Sequence, residues 1–234
     1  MHPIGAIVVD FDGTACLDDV SEVILDEFGA PDWREWDEKV DRGEAGLREA
    51  AHEQAATLRA DRDTMLDFAL DRCRMDPTFR PFVTWAEAHS VPVELASDGF
   101  AFYISALLQR EGLGHLEVHT NRFTFDHDGG PSNLAHPNAH PQCLGCGTCK
   151  MLIVERARRE YGPVAFIGEG LSDRYGALYA DVVFAKDALV DICRADGVPF
   201  LPYEDFQDVR AVLEDIGTIC APVAPPVCPG WTTA

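Results

Sequence analysis

Apolar residues fall along the chain in two alternating rhythms, and each rhythm predicts an element. The run Ile4-Gly5-Ala6-Ile7-Val8-Val9 is continuous and short, bounded by Pro and by acids, and reads as a buried central strand. Val20, Val23, Ile24 and Phe28 then share one helical face, as do Leu47, Ala51 and Leu58, and again Met65, Phe68, Ala69 and Cys73. Pro31 to Trp36 is read as the start of a further helix. From Thr78 the pattern Phe79, Phe82, Val83, Ala86 predicts a helix, followed by a strand over 91–96 and a helix carrying Phe100, Tyr103, Ile104, Leu107 and Leu108. Residues 118–125 have strand character and end at an Asp128-Gly129-Gly130 turn signal. Residues 133–148, rich in Pro, His, Gly and Cys, are expected to form an ordered loop. A helix over 151–161, strands at 164–167 and 182–185 around a helix near 175–180, a short strand near Phe200 and a helix over 205–213 complete the pattern.

Alternating strands and helices predict an α/β fold with a mainly parallel, three-layer sheet. Residues 14–77 interrupt it with helices alone. The expected division is therefore a core of residues 1–13 and 78–216, a helical insert over 14–77, and a loosely held tail over 217–234.

Composition narrows the partners. The 234 residues carry 40 acids against 19 Lys and Arg, a formal charge of −21. Nucleic acid and anionic membrane surfaces are poor partners for that charge. No apolar stretch has the length of a membrane span and no secretory signal is visible, which leads to an expected cytoplasmic location. In that compartment the eight Cys are expected as thiols or metal ligands rather than disulfides.

The candidate chemistry begins where the first strand ends, at Asp10 and Asp12. Carboxylates belong at the carboxyl edge of such a sheet, where open α/β folds bind ligands. Two neighbouring acids ionised together need a counter-charge, and Mg²⁺ with oxygen ligands is the simplest. Three further sites follow in order: Ser97-Asp98 after an apolar run, Lys150 at a helix start, and Gly168-Glu169-Gly170-Leu171-Ser172-Asp173 after another strand.

Asp10-x-Asp12-x-Thr14 with Ser97, Lys150 and Glu169/Asp173 resembles the four ordered motifs of the haloacid dehalogenase-like (HAD) phosphohydrolases. The stretches 43–49, 143–150 and 201–206 resemble the phosphoserine-phosphatase-like branch, especially its methionine-salvage and phosphoethanolamine/phosphocholine phosphatases. The resemblance implies a HAD-like Rossmannoid core with an inserted helical cap, and a Mg²⁺-dependent phosphomonoester hydrolase acting on a small phosphorylated metabolite. It implies Asp10 as the nucleophile that forms an aspartyl-phosphate, and Asp12 as general acid and base, with its backbone carbonyl on the metal. Ser97, Asp98 and Lys150 are placed at the phosphate, and Asp10, Asp12, Glu169 and Asp173 at the metal. Asp19, Arg48 and Ser172 are candidates for the substrate's far end. The family pattern has Asp at the Glu169 position and a small Gly at the Asp98 position. Those two departures keep open a different reading, a catalytically weak HAD-like binding or regulatory protein. Phosphotransfer or dehalogenation on the same fold is a further alternative, against which the acid-rich last motif speaks.

His136, His140, Cys143, Cys146 and Cys149 form a ligand-type cluster whose donors suit Zn²⁺. The spacing is not that of a standard zinc module, and a packed loop of thiols that positions Lys150 is the favoured alternative.

Overall fold

The structure is a computed structural model that describes residues 3–217. Residues 218–234, all but the first of those read as a tail, lie outside the described residues.

Strand β1 (Ala6–Val9) is the middle of seven strands, and every residue of it is buried. It alternates, with Ile7 and Val9 in one apolar cluster and Ala6 and Val8 in another, so both faces of the sheet are covered. The remaining strands are β2 (Val93–Phe100), β3 (Glu117–Phe125), β4 (Pro131–Ala135), β5 (Val164–Gly168), β6 (Val182–Ala185) and β7 (Leu201–Pro202). Their order is β4-β3-β2-β1-β5-β6-β7, parallel throughout except for β4. Helices α5 (Phe79–Ala88), α6 (Ala101–Arg110) and α10 (Phe206–Asp215) pack on the face of Ile7 and Val9. Helices α7 (Lys150–Tyr161), α8 (Arg174–Tyr179) and α9 (Asp187–Asp196) cover the other. The three-layer α/β architecture expected from the alternation is present.

Between β1 and α5 lie four helices: α1 (Val20–Phe28), α2 (Glu35–Asp41), α3 (Leu47–Ala56) and α4 (Arg62–Arg72). The chain enters and leaves this insert side by side, through an antiparallel bridge between Cys16 and Met75. Leu17 N donates to Arg74 O at 2.9 Å, and Asp76 N donates to Ala15 O at 2.9 Å. Asp19 and Asp61 cap α1 and α4, accepting from Glu22 N and Thr64 N. Among the described residues no helix is long and apolar enough to cross a membrane.

Three details differ from the pattern. Helix α2 begins only at Glu35, because a turn occupies the residues after Pro31. The first residues of the expected loop at 133–148 belong to β4, which pairs antiparallel with β3. The turn between them is closed by Asp126, whose carboxylate accepts from Gly130 N at 2.9 Å. Strand β2 continues past Ala96 to Phe100, but its pairing with β3 breaks between those two residues. The break lifts Ser97-Asp98-Gly99 out of the ladder beside the end of β1.

Candidate active site

Strands β1, β2 and β5 are neighbours and run the same way, so the residues that follow them converge at one edge. Lys150, at the start of α7, lies beneath them and is 2% exposed. Its ammonium donates to Asp10 Oδ1 at 2.6 Å, to Asp173 Oδ1 at 2.6 Å and to Ser172 Oγ at 2.9 Å. Burial alone would depress the Lys150 pKa, but the charges of Asp10 and Asp173 outweigh it, so the ammonium stays protonated.

One carboxylate oxygen from each of Asp10, Glu169 and Asp173 lies within 4.8 Å of the others. Three acids share one ammonium there. Burial, and then the charge of Asp173, push the Asp10 pKa well up. Glu169 is pushed up to about 7, by burial and again by Asp173. The uncompensated charge and all-oxygen donors fit a hard divalent cation. Asp173 is the more committed acid, since its Oδ2 also accepts from Glu169 N at 2.9 Å and Gly170 N at 3.0 Å.

The Asp12 side chain is turned away from this group. Its Oδ1 accepts from Val20 N at 3.0 Å, and its Oδ2 accepts from Ser97 Oγ at 3.2 Å and from the Tyr103 hydroxyl at 3.1 Å. Only its backbone carbonyl therefore remains for a metal. Burial first, then the Asp19 charge, raise its pKa to about 8, against the pull of those three hydrogen bonds. A carboxylic acid that keeps its proton at neutral pH is what proton delivery requires.

A cavity of about 310 Å³ runs from Asp10, Asp12, Ser97 and Glu169 into the four-helix insert. Its far walls are apolar, including Ile24, Leu25, Trp33, Val40, Leu47 and Leu58. Asp19, Glu22, Asp37 and Asp41 add acids, and among the described residues no Lys or Arg lines it. The Asp19 pKa is pushed up to about 6, chiefly by burial. Ser172 reaches the cavity but is also bound by Lys150.

Several assignments need correction. Arg48 does not line the cavity; its guanidinium donates to Cys143 O at 2.8 Å and to Cys146 O at 3.0 and 2.9 Å. It ties α3 to the Cys-rich loop, so its charge is spent on backbone carbonyls and not on a substrate. The Asp98 carboxylate accepts from Thr148 N at 2.6 Å, on the loop that leads to Lys150. Its Oδ2 is buried without a hydrogen-bond partner, and since an ionised carboxylate offers a phosphate no donor, the backbone N–H is the group suited to that task. His136 faces Asn121 Oδ1 at 2.7 Å and His52 Nε2 at 2.9 Å. Burial and then His52 depress its pKa to about 4. His140, Cys143, Cys146 and Cys149 line a separate cavity of about 60 Å³ beside Lys150. His136 is not among its lining residues. Among the described residues, the sets of three donors within 4.8 Å of one another are the Asp10 group and Glu94/Glu117/His119, so in this arrangement no three donors of the Cys/His loop lie that close together. The second set already holds a cation, because Arg156 pairs with Glu94 and, at 3.0 Å, with Glu117.

Tyr103 and Ser21 were legible only as helix residues, yet both reach the site. The signal was a Tyr placed four residues after Gly99 on an otherwise apolar helix face.

No protein-family model matches the chain. It is 26% identical over 217 residues, covering 92% of each chain, to a 2-hydroxy-3-keto-5-methylthiopentenyl-1-phosphate phosphatase of Bacillus velezensis. It is 28% identical over 214 residues to the protein of that name from Geobacillus kaustophilus, covering 90% of this chain and 96% of that one. Among solved structures it resembles a phospho-aspartyl intermediate analogue of phosphoserine phosphatase, with TM-score 0.69 and 15% identity over 92% of this chain and 99% of that one. A HAD family hydrolase from Salmonella enterica gives TM-score 0.74 at 18% identity, over 92% and 73%. Sequence and fold point the same way: over about nine-tenths of its length the chain is similar to 2-hydroxy-3-keto-5-methylthiopentenyl-1-phosphate phosphatases, and it shares the fold of phosphoserine phosphatases.

Proposed function

We propose that the protein is a Mg²⁺-dependent phosphomonoesterase for a small metabolite whose far end is apolar or cationic, working through an aspartyl-phosphate on Asp10. The observation that carries this is the convergence of Asp10, Glu169 and Asp173 around Lys150, next to an Asp12 carboxyl held by Val20 N, Ser97 and Tyr103. Asp10 and Glu169 would hold the ion with the Asp12 backbone carbonyl, while Asp173, fastened by Lys150 and two backbone N–H groups, orients the group. The ion, when bound, offsets the negative charge of phosphate and carboxylates.

Asp10, whose ionised form Lys150 and a bound cation favour against burial, attacks phosphorus through a carboxylate oxygen, and the bond from phosphorus to the ester oxygen breaks with its electron pair going to that oxygen. The ester oxygen takes the Asp12 proton and leaves as an alcohol. Asp12, now a carboxylate, takes a proton from the water that attacks the phosphorus of the aspartyl-phosphate, releasing phosphate and restoring both acids. With substrate bound, Ser97 would turn its one O–H from Asp12 to a phosphoryl oxygen, and the Lys150 ammonium, shared among Asp10, Asp173 and Ser172, would offset the phosphoryl charge. The two departures from the family pattern are compatible with this chemistry, since Glu169 reaches the carboxylate group and the Asp98 carboxylate is turned to Thr148.

The insert supplies the substrate chamber and acts as a cap that excludes water. Its walls carry apolar and acidic groups without a cation, which disfavours a substrate that ends in a carboxylate. A methylthio end, as in the substrate named for the relatives, suits such walls, whereas the carboxylate of phosphoserine meets acids. A cytoplasmic setting is compatible with such a metabolite. The test is phosphate release from apolar, amine-bearing and carboxylate-bearing phosphomonoesters, with and without Mg²⁺. Turnover should need Mg²⁺ and be slowest on phosphoserine. Release from none of them, or a preference for phosphoserine, contradicts the reading.

A further inference from the structure

The Asp12 carboxyl is gripped from three directions, one of them Ser97 Oγ on the broken stretch of β2, 3.2 Å from Oδ2. The first turn of α1, in the insert, supplies Val20 N to Oδ1 at 3.0 Å. Helix α6, in the core, supplies the Tyr103 hydroxyl, 3.1 Å from Oδ2 and 3.4 Å from Oδ1. The same hydroxyl meets Ser21 Oγ at 2.8 Å, and Ser21 lies next to Val20 on α1 and lines the cavity. A phenol that donates to Asp12 can accept from Ser21, so the three groups form one directed chain: Ser21 to Tyr103 to Asp12.

Packing alone does not account for this tyrosine. Its ring is fully buried against Phe11, Phe100 and Phe102, a setting a phenylalanine would fill without a hydroxyl to satisfy. The neighbouring backbone is also shaped around that hydroxyl. A Cβ on Gly99 would lie 2.1 Å from the Tyr103 oxygen and 2.4 Å from Asp12 Oδ2. The glycine in the broken stretch of β2 therefore keeps open the space in which the two oxygens meet.

We infer that Tyr103 is a positioning residue, oriented by Ser21, that holds the Asp12 carboxyl where it delivers its proton to the leaving oxygen. The inference rests on the role proposed above for Asp12. It also joins the insert to the chemistry, because α1 carries two of the contacts that set the acid.

The test exploits leaving groups. An alkoxide needs a proton as the phosphorus–oxygen bond breaks, whereas a nitrophenolate leaves without one. Tyr103→Phe keeps the ring and removes one oxygen; Ser21→Ala removes the partner hydroxyl. Each is compared with the wild-type protein, with Mg²⁺, on n-butyl phosphate and on p-nitrophenyl phosphate. Tyr103→Phe should lower kcat/KM on n-butyl phosphate by about tenfold or more, through kcat with KM little changed, yet lower it less than about threefold on p-nitrophenyl phosphate. Ser21→Ala should give a smaller loss with the same leaving-group dependence. Equal losses on both substrates, with or without a fall in Tm, indicate packing and overturn the inference, as does no loss on either. If the wild-type protein hydrolyses neither substrate, nor any in the wider panel, the phosphatase reading itself fails and takes this inference with it.

Discussion

Replacing Lys150 with methionine separates the electrostatic core of the site from its shape. Methionine is unbranched and flexible, so it fills much of the space of the lysine stem. The ammonium it removes is almost wholly buried, bridging Asp10 and Asp173 at 2.6 Å each. Breaking one partner out of a buried charge group typically costs about 3–5 kcal/mol, because the surviving carboxylates stay buried without a cation. For a domain of this size that corresponds to a fall in Tm of roughly 6–20 °C. Loss of a donor aimed at the transferring phosphoryl group should lower kcat by about 10²–10³-fold. Thermal unfolding followed by circular dichroism in EDTA and in Mg²⁺, with phosphate release on the same samples, measures both. Mg²⁺ should recover part of the lost Tm by replacing missing positive charge, but not the lost rate. A metal-free Tm within about 2 °C of wild type would refute the reasoning, since the two carboxylates would then not depend on the lysine.

The pH dependence of stability follows from the raised acids. Burial first raises Glu169 to about 7 and Asp12 to about 8. Their ordinary values are near 4, so between the two limits the folded protein holds protons that the unfolded chain has released. Their stabilising contribution is complete below about pH 4 and is lost as pH rises through 7 to 8. The Tm increment from Mg²⁺ should therefore be larger at about pH 8 than at about pH 5.5, as read by differential scanning fluorimetry; a larger increment at the acid end would contradict it. Arg48→Ala removes three contacts to the carbonyls of Cys143 and Cys146. It should lower stability by about 1.5–3 kcal/mol in urea unfolding while leaving the ranking of neutral over carboxylate substrates unchanged; a changed ranking would return Arg48 to the substrate.

What the sequence disclosed and what it withheld have distinct physical causes. Asp10, Ser97 and Glu169 were legible because each follows an apolar run, and parallel neighbours bring their carboxyl ends together whatever the side chains are. Lys150 was legible from its place at a helix start. Which of Glu169 and Asp173 is the freer acid was not, because it turns on two backbone N–H groups that spacing does not reveal. Arg48 misled because its partners are carbonyls roughly a hundred positions away, and a carbonyl has no sequence signature. Tyr103 was hidden by its own correctness as a core residue: ring and helical spacing explain the position, and only the hydroxyl departs from that account. The cavity inside the insert was least legible, since several short helices with one apolar face each can close on one another in many ways.

The most direct test concerns the covalent step. A phosphomonoester substrate is mixed with the protein and Mg²⁺, quenched in acid within a single turnover, and treated with borohydride, which reduces an acyl phosphate to an alcohol. Peptide mass spectrometry should find the reduced side chain at Asp10, and Asp10→Asn should give neither the modification nor phosphate release. Reduction at another carboxylate, or phosphate release that persists in Asp10→Asn, would contradict the account.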